Sequence, residues 1–170
     1  FHFQTCSHDQ RLGFISARRI TGLRAFAIAV HKPSILRREN FTKKYFLYFY
    51  GLRFLLERVT TYCRDHCQEP LRVHLSSRKG LTAENLNAYL DRVLTSPFVK
   101  QDKMQWEYLS RADINTYPNK DWRGLQMADC IASSIGKTLE LSRYGTTERR
   151  YLAELHPCFH HDSLDYGQAI

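Results

Sequence analysis

One aspartate in this 170-residue sequence stands where chemistry, or a specific structural contact, has to explain it. Asp129 lies in the tract Gly124-Leu125-Gln126-Met127-Ala128-Asp129-Cys130. Around it Leu125, Ala128, Ala132, Ile135 and Leu139 recur at three- and four-residue steps, which predicts a helix burying that stripe. A carboxylate beside an apolar face must be hydrogen bonded, paired or bound to a cation. Asp129 therefore either caps or bridges a neighbouring element, or it serves a site. A hard cation such as Mg²⁺ or Mn²⁺ prefers oxygen ligands, and two-metal phosphodiester hydrolysis needs several carboxylates around one pocket. Asp129 fits one such ligand, and one carboxylate does not complete the site.

Other chemistries leave weaker traces. Cys63, His66 and Cys67 fall close together, and His156, Cys158, His160, His161 and Asp162 form a second group. Neither group follows a familiar zinc spacing, and Cys63 also continues an apolar stripe, so a structural zinc is not expected. Glycines stand singly, so no phosphate-cradling loop is present. A nucleophile–histidine pair cannot be picked out from spacing, and His74, on a predicted strand, reads as structural rather than as a base.

The net charge is +8, and residues 17–58 carry all of that excess. There Arg18, Arg19, Arg24, Lys32, Arg37, Arg38, Lys43, Lys44, Arg53 and Arg58 face only Glu39 and Glu57. Such concentration points to a polyanion, nucleic acid above all, with a solvated basic face as the alternative. Five cysteines at irregular spacing are not a disulfide framework, which suggests a reducing, cytoplasmic compartment. No apolar run reaches membrane-span length, because residues 45–56 are interrupted by Gly51 and Arg53. No signal peptide is visible, and the opening Phe1 makes an upstream segment an expectation.

The elements that must position these groups alternate in type. Ser7 and Gln10 have capping-box form ahead of a helix through Leu12 and Ile15, with Gly22 as its stop. Residues 23–30 alternate Phe26, Ile28 and Val30 with alanines and predict a strand buried on both faces. Pro33 and Ser34 break the pattern. Asn40 should cap a long helix to about His66, with Phe41, Tyr45, Phe49, Leu52, Leu56, Val59 and Cys63 on one stripe. Its further aromatics suit core packing better than base stacking. Residues 71–76 predict a strand, followed by a turn at 77–80. Thr82 should cap a helix burying Leu86, Tyr89, Leu90, Val93 and Leu94, which Ser96-Pro97 ends. Strands are expected at 105–109 and 112–116, a polar loop at 117–123, a helix at 124–141 and a short helix at 148–155. The order implies a single α/β domain over residues 1–170, a mixed sheet flanked by helices.

The Gly124–Asp129 tract resembles the "GLQLAD" helix start of the bacterial family known as domain of unknown function 3800. Shorter pieces are similar too: Phe1-His2-Phe3, the 26–30 strand running to Lys32, Ser76-Ser77-Arg78, Asn119-Lys120 and Leu164-Asp165-Tyr166-Gly167. Only the first tract is specific. The resemblance implies an RNase H-like fold and a metal-dependent nuclease role on nucleic acid, with Mg²⁺ or Mn²⁺. It implies three carboxylates: one in an N-terminal "DESG" strand, one ending the middle strand, and Asp129. The first strand has no counterpart in this sequence. Ser76 stands at the middle position and cannot replace a carboxylate's charge, and Pro118 stands where relatives often carry aspartate.

Two readings follow. In one, Asp129 is catalytic and ligates metal, while Arg78 and Lys120, with Arg37, Arg38, Lys43 and Lys44 of the basic cluster, hold phosphate. In the other, the chain is a catalytically degenerate module that binds nucleic acid or a protein partner. A homo-oligomer is compatible with both. A second carboxylate within about 4–6 Å of Asp129 would favour the enzyme.

Overall fold

The computed structural model describes residues 5–16, 22–31, 45–67, 69–78, 81–97, 103–141 and 145–160. These contain helices α1 (His8–Ser16), α2 (Phe46–His66), α3 (Ala83–Thr95), α4 (Arg123–Leu139) and α5 (Arg150–Leu155). They also contain strands β1 (Leu71–Ser76) and β2 (Leu109–Tyr117), so the chain is mixed α/β. The described residues divide into two compact units, one from residues up to 29 and from 119 onward, the other from residues 30–118. No helix among them is long and apolar enough to cross a membrane.

In the unit formed by residues 30–118, β1 and β2 pair in parallel, with Val73 opposite Ile114 and Ser76 opposite Tyr117. Parallel neighbours need a crossover of a dozen or more residues, and α3 supplies it. A two-stranded sheet is not stable alone. Here Val73, Leu75, Leu109 and Ile114 share one core with Phe49 and Leu56 of α2 and Leu86, Tyr89, Leu90 and Val93 of α3. Leu86 and Leu90 are fully enclosed, each contributing roughly 1.5–3 kcal/mol. Thr82 caps α3 as expected, its side chain accepting from the Asn85 amide at 3.2 Å. Arg111 of β2 clamps α3, donating to Asn87 Oδ1 (3.1 Å), the Asn87 carbonyl (3.0 Å) and Asp91 Oδ1 (2.7 Å).

Two expectations in this unit change. Trp106–Tyr108 is a 3-10 turn rather than part of a strand, and β2 is continuous from Leu109. The pairing slips between Leu71 and Val73, and a bulge in β2 absorbs the gap that looked like a strand break. Helix α2 begins at Phe46 because Tyr45 is left-handed (φ 63), which a helical run cannot pass through. The expected cap Asn40 and Phe41 lie outside the described residues. Phe49, Leu56 and Cys63 are buried as the stripe predicts, but Glu57 and Thr60 share that face. Their polar groups are bonded: Thr60 Oγ1 donates to the Leu56 carbonyl at 2.7 Å, and Arg53 pairs with Glu57 at 3.3 Å.

In the other unit the capping box forms as read. The Ser7 amide donates to Gln10 Oε1 (2.9 Å) and the Gln10 amide to Ser7 Oγ (3.3 Å). Ile15 of α1 joins Met127, Cys130, Tyr151 and Leu155 in a small core. His8 Nδ1 lies 2.7 Å from the Tyr151 hydroxyl, tying α1 to α5. The doubly buried strand over 23–30 does not form. Only Ala25 bridges, to Phe159, while Ile28 and Val30 are exposed. Alternation gives a segment two apolar faces, but a strand exists only where a neighbour supplies ladder hydrogen bonds. Here these are the Ala25 amide to the Cys158 carbonyl (2.7 Å) and the His160 amide to the Ala25 carbonyl (3.2 Å).

Candidate functional site

Helix α4 forms where the tract predicted it, from Arg123 rather than Gly124 and ending at Leu139. Its buried face differs. Leu125, Met127, Cys130 and Ser134 are inside, whereas Ala128, Ala132 and Leu139 are exposed. Spacing marks an apolar stripe without ranking it. The face that packs on α1 and α5 is the one carrying Met127 and Cys130, since two alanines offer little surface to bury. The 124–139 stripe is thus rotated from the expected one, and Asp129 is half-buried on the flank of the exposed alanines. Its Oδ2 is nonetheless withdrawn from solvent.

Gln126 positions the approach to this helix. Its side-chain amide donates to the Lys120 carbonyl at 3.0 Å, folding the 3-10 turn Asn119–Asp121 against the first turn of α4. Lys120 is left exposed. Asn119 is half-buried, and its Oδ1 is enclosed with no hydrogen-bond donor among the described residues. Sequence reading assigned neither Gln126 nor Asn119 a role, although both belong to the tracts that carried the resemblance.

Ser76 and Arg78 lie in the other unit, at the C-terminal end of β1. Ser76 is half-buried opposite Tyr117, and the Ser77 amide extends the ladder by donating to the Tyr117 carbonyl at 2.8 Å. Arg78 is exposed and turns the chain, its carbonyl accepting from the Leu81 amide at 2.9 Å. Its guanidinium opposes the effect of burial on Tyr48, whose hydroxyl is nevertheless pushed above its ordinary pKa by that burial. Strand alternation and register put His74, Ser76, Asn115 and Tyr117 on one sheet face, opposite Val73 and Leu75. His74 and Tyr117 pack ring against ring, centroids 5.4 Å apart.

Among the described residues no three or more His, Cys, Asp and Glu side chains gather in a way that would hold a metal ion. Neither Asp129 in one unit nor Ser76 in the other supplies by itself the set of oxygens that a two-metal site needs. Of the zinc candidates, Cys63 is buried, Cys67 exposed, and the His66 ring packs on Tyr62 at 4.5 Å. Cys158 is buried in the 3-10 turn His156–Cys158, while His161 and Asp162 lie outside the described residues. Lys32, Arg37, Arg38, Lys43 and Lys44 of the basic cluster also lie outside them. Arg53 is removed from that cluster by its structure. Its side chain is 12% exposed, salt-bridged to Glu57 and stacked over Phe54 at 4.4 Å. The i,i+4 spacing of Arg53 and Glu57 within an aromatic run was the available signal for this pair.

No family model, curated protein or solved structure matches this chain.

Proposed function

We propose that this chain is a nucleic-acid-binding module of RNase H-like type whose catalytic carboxylate set is degenerate. The observation that carries this reading is the end of β1. There Ser76, Ser77 and exposed Arg78 offer hydroxyls and a guanidinium, groups that bind phosphate but do not replace a carboxylate on a divalent cation. The charge excess of residues 17–58 and exposed Lys120 support the same partner. The alternative, a metal-dependent nuclease, is favoured by a different observation: Asp129 Oδ2 and Asn119 Oδ1 are oxygens held away from water on α4 and the turn before it.

Binding and cleavage assays on single- and double-stranded DNA and RNA separate the two readings. The module binds oligonucleotides and leaves them intact in Mg²⁺ or Mn²⁺, and Asp129→Asn changes neither result. Cleavage by the wild type that falls on the order of 100-fold or more in Asp129→Asn would establish the nuclease instead.

A further inference from the structure

We propose that Cys63 and Cys67 form a thiol–disulfide exchange site at the C-terminal end of α2, one that takes small disulfides of the glutathione class. This inference is independent of the nucleic-acid reading. The two residues are one helical turn apart and so share a helix face. Their environments differ in the way a two-step exchange requires: Cys63 is buried, at 6% exposure, and Cys67 is exposed. Cys67 is also where α2 ends. Its backbone is extended (φ −118, ψ 152), and its amide still donates to the Cys63 carbonyl at 2.8 Å.

The chemistry follows from access. The thiolate is the reacting form of cysteine, and burial, reinforced by the Cys67 side chain, pushes the Cys63 thiol up to about 11. Cys67 therefore reacts first. Its sulfur attacks one sulfur of the small disulfide, forming a mixed disulfide and expelling one small thiolate. Cys63 then gives up its proton to that thiolate and attacks the Cys67 sulfur. The internal disulfide forms, and the second small thiolate leaves and takes up the proton released by Cys67. The protein loses two electrons and two protons, and the small disulfide becomes two thiols.

The geometry permits closure at a local cost. Side chains one turn apart have Cβ atoms about 5–6 Å apart, and a disulfide needs about 3.5–4.5 Å. The last turn must tighten by roughly 1–2 Å. Cys67 has already left helical backbone, while its amide still donates to the Cys63 carbonyl.

The test uses the full chain under native conditions. Brief iodoacetamide treatment followed by peptide mass mapping should label Cys67 ahead of Cys63. In a separate, unalkylated sample oxidised glutathione should remove both thiols, giving one peptide linked between them. Cys63→Ser should hold a stable glutathione adduct on Cys67, and Cys67→Ser should leave Cys63 unmodified. Two results on the wild type alone, needing no variant to fold, would overturn the proposal. One is Cys63 alkylating as fast as Cys67. The other is a mixed disulfide that persists with no internal bond.

Discussion

The Thr60 hydroxyl links α2 to the segment that enters β2. It donates to the Leu56 carbonyl and accepts from the Gln105 amide at 3.3 Å, and the residue is fully buried. Thr60→Val keeps the shape and removes the hydroxyl's bonds to the Leu56 carbonyl and from the Gln105 amide, so a loss of about 1–3 kcal/mol is expected in urea unfolding. A loss below the error of the measurement would mean that water replaces the hydroxyl. Glu148 makes a pH-dependent contribution. Hydrogen bonds from Arg150 hold its carboxyl down to about 2 from an ordinary 4.5. A folded-state pKa below the unfolded one stabilises above the unfolded value. The contribution is therefore complete above about pH 4.5 and disappears as pH falls toward 2. Arg150 is exposed and Glu148 partly so, which keeps the effect small, and Glu148→Gln should flatten that part of an acid-unfolding titration.

At the scale of the elements, the Gln126 side chain joins α4 to the turn that precedes it. Gln126→Ala should cost about 0.5–1.5 kcal/mol and speed amide exchange at residues 119–121 more than in the middle of α4. Uniform acceleration along α4 would show instead that the glutamine supports the whole helix. Elements were legible where local signals and packing agreed. The Ser7–Gln10 box, the Thr82 cap and β1 formed as read, and the α3 face formed with Leu86, Tyr89, Leu90 and Val93 buried and Leu94 only partly so. Capping uses side chains within three residues of the amides they satisfy, so the information is local. Residues 23–30 failed for the opposite reason, since a strand is made by its neighbour. The candidate site was legible only in part. Asp129 falls on a helix as read, but on the flank of an exposed alanine stripe, because alanine spacing does not fix which face packs.

At the scale of the molecule, the proposed function makes an electrostatic prediction. Oligonucleotide affinity should fall linearly on a log–log plot against salt concentration, and Arg78→Ala should reduce that slope by about one. A flat salt response would remove the polyanion partner altogether. The sequence alone determined the helices α1, α3 and α4, the strand β1, the caps at Ser7 and Thr82, the charge concentrated in residues 17–58 and the presence of a carboxylate on α4. These follow from near neighbours and composition. Only the tertiary structure decided that Arg53 is spent on Glu57, that α4 buries Met127 and Cys130 instead of its alanines, and that Cys67, just past the buried Cys63, is open. Each of these depends on which surface a residue is packed against, and that surface is built by residues distant in the chain.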